Sequence, residues 1–499
     1  MNDSTDSPAV SMTAATSSVS SAAMRRVAVV GCGVSGMGAA LRLRERFPEV
    51  QLDIFDKRES AGGVLSTRLV DGFEIERSAD NFITTMPWGL ELCKKLGLEN
   101  DVVPTSSQYR QTFIVWRNRL HKLPDGFMMM APTKWLPLAT TTLLTPWGKL
   151  RAAMEYFVPA RKDDGDESME SFAVRRLGRE AYERLVEPLI SGVYAADMSK
   201  LSLMATMPRF REMEQKYGCL IRAMRHNRKA AKAQATQSGP RYSMFVTVRG
   251  GLSRIAERFQ ARLPQGAFHG GTEVTELRKT PDGWTLSWNE GGQTHTADYD
   301  AVILAVESYA TAELLAGSGL SQASELVELL RGIEHSGCSI LTVAYRREQI
   351  KHKMDGMGAV VPAAEHSPIL ALSFSSGKYP HRAPEGFTLL RIFAGSVRTP
   401  EITSMTDDEL KALLLEHTSR ILKISGEPIL TDMARWPNFM PQLQLGHLER
   451  VARINAILAE IPTLAVAGNA FTGVGIPQCI HSGELAADKI SGFIPAGSG

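Results

Sequence analysis

The chain has 499 residues, an apolar fraction of 43%, and 56 basic against 54 acidic side chains. This length predicts about three structural units, while the net charge of +2 excludes an overall field for binding nucleic acid or an anionic membrane. The sequence contains no run of about 18 apolar residues, which excludes a conventional membrane-spanning helix. Its five cysteines stand singly, which argues against a metal site and favours a reducing, cytoplasmic compartment.

The first residues form a tail of low complexity. Residues 1–23 are rich in Ser, Ala and Thr and lack the basic and apolar regions of a secretory signal. Such a segment buries too little apolar surface to offset the backbone entropy lost on folding. We therefore predict a disordered tail and expect folded structure to begin near Met24.

A strand, a helix and a second strand follow. Residues 27–30 form an unbroken β-branched and alanine run, residues 37–44 have helical spacing, and residues 51–55 are again strand-like. This βαβ order predicts an α/β fold in which helices cover a parallel sheet.

The turn between this first strand and helix carries a G-x-G-x-x-G motif. Gly31 permits the tight turn, Gly33 lets the backbone approach a pyrophosphate, and Gly36 lets the helix pack closely on the strand. The helix start offers free N–H groups to the phosphates. Asp56 ends the second strand, where its carboxylate can accept the ribose hydroxyls. The unit therefore predicts a Rossmann-like dinucleotide site.

A second glycine motif makes FAD a better prediction than NAD. Gly62 and Gly63 follow the ribose acid directly, and Thr67 comes four residues later. This pattern resembles the second phosphate-side motif of the amine-oxidase-like flavoprotein superfamily. That superfamily has an arginine two positions before the glycine pair, where this chain has Ser60, and Arg58 is a candidate substitute.

The middle of the sequence changes to helical patterns. Residues 165–228 contain long helical stretches, such as 169–189 with an interruption at Pro188, which predicts an inserted helical lobe. Ahead of it, the apolar segment 127–144 is broken by prolines and a lysine. This segment has two interpretations, an irregular buried part of a pocket or a peripheral contact with a membrane surface.

Strand-like sequence returns after the lobe. The prediction includes a hairpin at 273–288, two buried strands at 300–305 and 463–468, and a second sheet built from 340–345, 358–361, 369–374 and 387–393. The predicted organisation is a tail at 1–23, an FAD-binding domain from 24–90, 241–320 and 430–499, a substrate domain with a mixed sheet from 91–125 and 321–429, and a helical lobe at 126–240.

A third glycine-rich turn lies near the end of the chain. Gly468 follows the last predicted strand, and Val474, Gly475 and Ile476 lead into a helix. A helix start at this position would place backbone N–H groups near the N1/O2 edge of a flavin and stabilise its anionic reduced form.

Several longer segments together resemble the oxygen-dependent porphyrinogen oxidases of haem synthesis. They are residues 185–194, 200–202, 383–386, 435–436, 440–442 and 474–480, and the resemblance extends over nearly the whole chain from Met24. The resemblance implies oxidation of coproporphyrinogen III or protoporphyrinogen IX by repeated hydride transfer to flavin N5. Dioxygen then reoxidises the flavin and gives hydrogen peroxide. The resemblance implies no catalytic side chain, because the cofactor performs the difficult step.

The resemblance also assigns contacts residue by residue. The implied substrate contacts are Val360, Ser373 and Phe393, of which Ser373 replaces an expected leucine. The loop at 78–81 departs from the family, which commonly has Gly-Pro in place of Ser78-Ala79. The cofactor contacts predicted from the motifs and the resemblance are Gly31, Gly33, Val34, Ser35, Gly36, Asp56, Gly62, Gly63, Thr67, Ser78, Ala79, Asp80, Asn81, Val274, Gly468, Val474, Gly475 and Ile476.

The choice of porphyrinogen depends on a propionate partner. Protoporphyrinogen-type relatives have an arginine where this chain has Thr112, so that anchor is missing. Arg117, Arg119 or Lys122 could supply cations for a substrate with four propionates. The sequence therefore favours coproporphyrinogen III. Open alternatives are protoporphyrinogen IX, another amine-oxidase-like flavoenzyme, and a carrier of the GDP dissociation inhibitor type.

Overall fold

The structure is a computed structural model that describes residues 25–109, 111–132, 134–226, 244–397 and 399–492, so the predicted tail at 1–23 lies outside the described residues. The strands are β1 (Arg26–Val30), β2 (Gln51–Asp56), β3 (Thr67–Val70), β4 (Phe73–Glu76), β5 (Phe82–Ile83), β6 (Val102–Pro104), β7 (Thr112–Trp116), β8 (Arg119–Lys122), β9 (Phe127–Met128), β10 (Ala131–Pro132), β11 (Phe245–Val248), β12 (Phe268–Gly270), β13 (Glu273–Lys279), β14 (Trp284–Glu290), β15 (Gln293–Tyr299), β16 (Ala301–Leu304), β17 (His335–Arg346), β18 (Gly358–Val360), β19 (Ile369–Phe374), β20 (Phe387–Ala394), β21 (Leu430–Pro441) and β22 (Leu464–Val466). The helices are α1 (Val34–Arg46), α2 (Trp88–Lys95), α3 (Trp135–Thr140), α4 (Pro146–Ala153), α5 (Met169–Leu177), α6 (Arg179–Ala181), α7 (Glu187–Tyr194), α8 (Leu203–Thr206), α9 (Pro208–Tyr217), α10 (Ser253–Gln260), α11 (Ser308–Ala316), α12 (Ala323–Arg331), α13 (Ser375–Lys378), α14 (Glu401–Ser404), α15 (Asp407–Leu422), α16 (His447–Ala459) and α17 (Ile476–Ser491).

A five-stranded parallel sheet combines the two ends of the chain. Its order is β12-β2-β1-β16-β22, and each neighbouring pair is parallel. The strands predicted at 27–30, 51–55, 300–305 and 463–468 all lie in this sheet. Their side chains are almost fully buried because helices cover one face, and the three-stranded sheet β13-β14-β15 together with further helices covers the other. The sheet confirms the predicted α/β, Rossmann-like fold.

Helices α1 and α17 pack against each other without intervening side chains. A Cβ atom added to Gly38 would lie 2.6 Å from the carbonyl oxygen of Ile480, and one added to Gly483 would lie 1.9 Å from that of Ser35. Each helix follows a strand of the same parallel sheet, β1 or β22, and the Arg42–Asp488 ion pair at 2.8 Å joins their C-terminal halves. The two helices are therefore parallel, and their N-termini lie at the same end.

A second sheet has seven strands in the order β21-β17-β20-β19-β18-β7-β8. One face carries buried side chains such as Leu372, Leu390 and Ile392, which pack against Leu410 and Leu414 of α15. Side chains alternate between the two faces of a strand. The opposite face therefore carries the neighbouring residues in each strand and is free of α15.

The helical lobe contains α3 to α9 and has its own core. The helix predicted over 169–189 ends at Gly178, whose φ of 89° is incompatible with a continuing helix. Pro188 does not break the helical stretch, which is continuous over 179–194, and it lies in the first turn of α7 directly after a π-helix. This π-helix, Tyr182–Val186, connects α6 to α7.

The apolar segment 127–144 contributes mainly to the lobe core. Among its described side chains, Phe127, Met130, Leu138 and Leu143 are at most 7% exposed, whereas Leu136 is 75% exposed. These positions favour the buried interpretation, and a peripheral membrane contact stays a prediction. None of the helices in the described residues is both long and apolar enough to cross a membrane.

Two elements lie in a different layer from the one expected. Strand β21 belongs to the seven-stranded sheet, where it pairs with β17 from Ala344 to His335, although residues from 430 onwards were expected in the FAD-binding domain. Helix α2 packs with α17 in the core of the five-stranded sheet, although residues from 91 onwards were expected in the substrate domain. Both placements depend on contacts between residues far apart in the chain, which the local sequence pattern does not reveal.

Candidate functional site

The glycine turn after β1 joins a strand and a helix at very short range. Gly31 has a φ of 97° and its N–H donates to the carbonyl oxygen of Phe55 at 2.7 Å. A Cβ added to Gly36 would lie 1.9 Å from the carbonyl oxygen of Gly31. No side chain caps helix α1, whose N-cap residue is Gly33. The first N–H groups of the helix are therefore free to bind an anion.

The second glycine motif faces the first. The N–H of Gly62 donates to the carbonyl oxygen of Cys32 at 2.8 Å. A Cβ added to Gly63 would lie 2.9 Å from the Cα of Gly33, whereas one added to Gly33 would meet only Gly63, at 3.9 Å. The two backbones thus form a cradle with open space above Gly33. This space, bordered by free N–H groups, fits the pyrophosphate of a dinucleotide.

Asp56 and Arg58 fix the geometry of this cradle. The Asp56 carboxylate accepts from the N–H groups of Cys32 at 2.7 Å and Arg58 at 2.9 Å. The Arg58 guanidinium donates to the carbonyl oxygen of Gly63 and lies over the Trp436 ring at 5.3 Å. Arg58 therefore does support the glycine pair, as the sequence suggested for the position left open by Ser60.

Val274 and Thr67 have different surroundings. The carbonyl oxygen of Asp56 accepts from the N–H of Thr272 at 2.9 Å, which brings the start of β13, with Val274, beside the ribose acid. The Thr67 hydroxyl donates to Glu76 at 2.8 Å and accepts from the N–H of Ser253 at 3.1 Å. The hydroxyl of Thr67 is thus already used in bonds within the protein.

The C-terminal glycine turn meets the N-terminal one. Gly475 is the N-cap of α17, and its N–H donates to the Gln478 side chain at 3.1 Å. The N–H of Gly468 donates to the Ser482 hydroxyl at 3.0 Å, which ties the end of the sheet to α17. Because α1 and α17 are parallel and in contact, residues 474–476 lie beside residues 31–36. Two helix N-termini therefore converge on one site.

Cys479, in the first turn of α17, does not provide a reactive thiolate. Burial raises the pKa of its thiol to about 12. A protonated, buried thiol is a poor nucleophile, so the site offers this cysteine no route to a covalent bond with a cofactor.

A buried ion cluster holds the loop at 78–81, and sequence reasoning missed it. The Asp80 carboxylate lies 3.4 Å from each of Lys378, Arg382 and Arg391. Arg391 also donates to the carbonyl oxygen of Ser78, whose hydroxyl donates to Val64. Asn81 donates to Asp80 at 2.8 Å. The only sequence signal was Arg391, a charged residue within the apolar strand β20.

Charges in this cluster shift one another's pKa values. Burial alone would raise the pKa of Asp80, but Lys378, Arg391 and Arg382 reverse the effect and hold it below its ordinary value. Glu76 is 1% exposed, and burial raises its pKa to about 7 despite the nearby Arg382. The loop beside the cradle is therefore held by ion pairs in the interior of the protein.

The predicted substrate residues share one face of the seven-stranded sheet. Phe393 pairs with Ala371, and Ala371 pairs with Val360, so the three form one row across β20, β19 and β18. Ser373 pairs with Arg391 on the same face, and the Arg391 guanidinium lies over the Phe393 ring at 4.9 Å. Phe393, Ala371 and Val360 are only partly buried although they lie in mid-sheet. Helix α7 of the lobe packs over part of this face, since a Cβ added to Gly192 would lie 3.5 Å from the Val360 side chain, and the face is therefore only partly covered.

Arg117 lies apart from this row, in the turn between β7 and β8, with a φ of 54°. Arg119 is next to it, whereas Lys122 lies on the opposite face and is 3.9 Å from Asp355. Val360, Ser373 and Phe393 thus lie together, whereas the three cations predicted for the propionates lie outside this row.

Within the residues that the structure describes, no group of three His, Cys, Asp or Glu side chains could hold a metal. Burial lowers the pKa of His447 to about 4, which leaves its imidazole neutral at physiological pH. The arrangement instead combines a cradle for a dinucleotide, two converging helix N-termini and a partly covered apolar face. Such an arrangement suits a flavin as the group that performs the chemistry.

Comparison with known proteins agrees with this description. The chain is 32% identical to a protein of Bacillus subtilis (strain 168) named coproporphyrinogen III oxidase, covering 93% of this chain and 97% of the relative. It is 30% identical to the Staphylococcus aureus protein of the same name, covering 93% and 99%. It is 26% identical to the chloroplastic protoporphyrinogen oxidase of Nicotiana tabacum, covering 93% and 85%.

Solved structures show the same fold. A crystal structure from Exiguobacterium sp., described as a protoporphyrinogen oxidase, has a TM-score of 0.82 at 27% identity and covers 94% of this chain and 99% of its own. Cyclohexylamine oxidase from Brevibacterium oxydans has a TM-score of 0.65 at 14% identity and covers 94% and 99%, which supports the fold alone. Residues 34–491 match the family described as flavin containing amine oxidoreductase. The chain therefore belongs to the flavin-containing amine oxidoreductases, and the predicted resemblance is confirmed.

Proposed function

We propose that this chain oxidises coproporphyrinogen III to coproporphyrin III, with FAD as its flavin and dioxygen as the final electron acceptor. The observation that carries the proposal is the partly exposed apolar row of Phe393, Ala371 and Val360 beside the loop at 78–81. A row across three strands is about 10 Å wide. Such a surface suits a broad macrocycle better than a small amine.

We propose FAD rather than a flavin mononucleotide because the cradle continues beyond the phosphates. Asp56 ends β2 beside the glycine turns, and the start of β13 lies next to it. These two elements provide a place for a ribose and a base at the far side of the pyrophosphate. A bound flavin would supply the redox chemistry, with hydride removed from a porphyrinogen carbon and its electrons returned to dioxygen to give hydrogen peroxide.

The residues of the chain would bind and orient the reactants. The N-termini of α1 and α17 would direct their N–H groups at the cofactor and favour negative charge there. The ion cluster of Asp80 with Arg391 fixes the loop between cofactor and substrate face. The apolar row would hold the macrocycle against this loop, so positioning supplies the main contribution of the protein.

Coproporphyrinogen III is preferred over protoporphyrinogen IX for two reasons. Relatives named coproporphyrinogen III oxidase are 30% to 32% identical to this chain, against 24% to 26% for those named protoporphyrinogen oxidase. Thr112 also replaces the arginine of protoporphyrinogen-type relatives. The second candidate function, oxidation of protoporphyrinogen IX, is favoured by the similarity to those same relatives.

The test compares porphyrin fluorescence formed from each porphyrinogen under air by the purified protein. We expect coproporphyrin III to form faster than protoporphyrin IX, with one molecule of hydrogen peroxide produced for each electron pair removed. Without oxygen, the substrate should bleach the flavin absorbance. Preference for protoporphyrinogen IX would overturn the choice of substrate. Chromatography of the released cofactor should give FAD, and a protein that neither contains nor can be reconstituted with flavin would favour the carrier alternative.

A further inference from the structure

Helix α7 carries a glycine that the fold itself does not require. Gly192 lies inside the helix and outside the left-handed region, and a Cβ added to it would lie 3.5 Å from Val360 Cγ1 and 4.0 Å from Ala371 Cβ. Both separations are ordinary van der Waals contacts, so an alanine would fit. Because glycine is less favourable than alanine within a helix, Gly192 lowers helix stability without relieving a close contact in the protein.

The other glycines in the described α-helices have a reason in packing. A Cβ added to any of them would lie between 1.9 and 3.3 Å from its nearest neighbouring atom, and they are Gly36, Gly38, Gly89, Gly148, Gly377 and Gly483. Each of these helices approaches another part of the chain too closely for an alanine to fit without a shift. Gly192 differs, because its missing side chain leaves a gap of methyl size.

This gap lies at one end of the apolar row formed by Phe393, Ala371 and Val360. Gly192 is exposed, and Ala371 and Val360 are partly exposed, so the gap is open to solvent. At the other end of the row, Arg391 lies over the Phe393 ring and donates to the loop at 78–81. The loop and α7 therefore bound the row on opposite sides, with two strand spacings, about 10 Å, between Phe393 and Val360.

Helix α7 is fixed at both ends, which gives the gap a defined width. At its start, the Glu187 carboxylate accepts from the N–H of Ala363 at 3.0 Å. At its end, the carbonyl oxygen of Ala195 accepts from the N–H of Val397 and from the Ser336 hydroxyl, both at 3.4 Å. These bonds hold the helix backbone over the row.

We propose that the gap beneath Gly192 receives a methyl or methylene group at the edge of the macrocycle, so that residue 192 sets how far the ring extends along the row. This inference rests on the proposed function, because a porphyrinogen carries such groups on every pyrrole. Val360 and Ala371 line the gap and suit an apolar group. In Gly192→Ala, the added methyl would occupy the space of the ligand group and displace the ring towards Phe393.

The experiment measures Kd of the flavin-loaded protein for coproporphyrin III, by fluorescence, together with KM for coproporphyrinogen III. In Gly192→Ala both should rise on the order of tenfold, as when one extra methyl group is forced into an occupied space. The flavin content should stay at the wild-type level, and Tm should be equal or higher because alanine favours the helix. A purely structural glycine would give the opposite result, a lower Tm with unchanged Kd.

Shortening the opposing side chain tests the steric cause. Val360→Ala removes the Cγ1 atom nearest the gap, so combining it with Gly192→Ala should recover part of the lost binding. The matched control is Gly317→Ala, which adds a methyl group in open space outside the row and should leave Kd unchanged.

A wild-type Kd in Gly192→Ala, or a rise in Kd that Val360→Ala does not relieve, would overturn the inference. If the wild-type protein binds coproporphyrin III but oxidises neither porphyrinogen, the proposed function fails, while the Kd comparison still decides the role of Gly192. If Gly192→Ala binds and oxidises the substrate as the wild type does, only this inference fails. A wild-type protein that neither binds nor oxidises a porphyrin ring would contradict both.

Discussion

Glu76 is a buried carboxyl whose protonation we expect to affect stability near neutral pH. Burial raises its pKa from 4.5 to about 7 in the folded protein. The folded state therefore binds this proton more tightly than the unfolded state does. The associated stability is complete below pH 4.5 and is lost as the pH rises towards 7. One carboxyl oxygen accepts from the N–H of Leu252 and the other from the Thr67 hydroxyl; a glutamine can keep the first bond through its oxygen and donate to the Thr67 hydroxyl through its NH2 group.

The change Glu76→Gln should remove this pH dependence. We expect the variant to gain up to about 3 kcal/mol relative to the wild type between pH 5 and pH 8. Denaturant unfolding at both pH values measures the difference. Glu416→Gln, an exposed carboxylate on α15, is the control and should stay within about 0.5 kcal/mol. A constant difference between Glu76→Gln and wild type across this range would contradict the raised pKa.

Gly33 is a position where one added methyl group should weaken cofactor binding without affecting folding. A Cβ at Gly33 would meet only the Cα of Gly63, at 3.9 Å, and its φ of −71° suits any residue. Gly33→Ala should therefore fold normally but lose most of its flavin, because the methyl group enters the space for the pyrophosphate.

Flavin content per protein, measured by absorbance, checks this expectation. Gly317→Ala is the matched control, since its Cβ would also meet open space but lies far from the cradle. Wild-type flavin content in Gly33→Ala would contradict the proposed location of the pyrophosphate.

Sequence predicted the residues of the cradle better than those of the ion cluster. Gly31, Gly36 and Asp56 act through a local strand–turn–helix geometry, which the spacing of the motif already contains. Asp80 acts through Arg382 and Arg391, about 300 positions away in the chain. Contacts of this kind arise from the packing of two sheets, which a single sequence does not specify.

At the scale of elements, the contact between α1 and α17 joins the first and last parts of the chain. A methyl group at Gly483 would overlap the backbone oxygen of Ser35 at 1.9 Å, and backbone cannot move aside as a side chain can. Gly483→Ala should therefore destabilise the protein by about 2 to 3 kcal/mol and reduce flavin retention, since the two N-termini would separate.

Thermal unfolding and flavin content measure both effects together. Gly492→Ala is the control at the end of the same helix, where a Cβ would lie 3.9 Å from the Lys489 oxygen. Full flavin retention by Gly483→Ala would show that the helix contact does not position the cofactor turns.

Elements with a simple period were predicted well, and elements set by distant neighbours were not. Four of the five strands in the first sheet and four of the seven in the second appeared as β-branched or apolar runs bounded by turns. The break at Gly178 was missed because glycine occurs inside helices as well as at their ends, and only its φ of 89° distinguishes the two. Strand β21 was assigned to the other unit because its pairing with β17 spans about 90 residues.

At the scale of the whole molecule, the candidate flavin site is assembled from pieces more than 400 residues apart. The turn at 31–36, the glycine pair at 62–63 and the turn at 474–476 belong to three separate segments. A flavin bound to all three would connect the first and last strands of the five-stranded sheet. Because the unfolded chain lacks this site, the cofactor should stabilise the whole protein through mass action.

Removal of the flavin should therefore lower Tm, and restoring it should raise Tm in a concentration-dependent way. At a free FAD concentration about 100 times Kd, we expect a gain of about 2.7 kcal/mol over the apoprotein. Calorimetry of the apoprotein across an FAD titration measures this gain. Gly317→Ala should respond like the wild type and Gly33→Ala should not, because only Gly33 borders the pyrophosphate space. An apoprotein whose Tm does not change with FAD would contradict a site that joins the two ends of the chain.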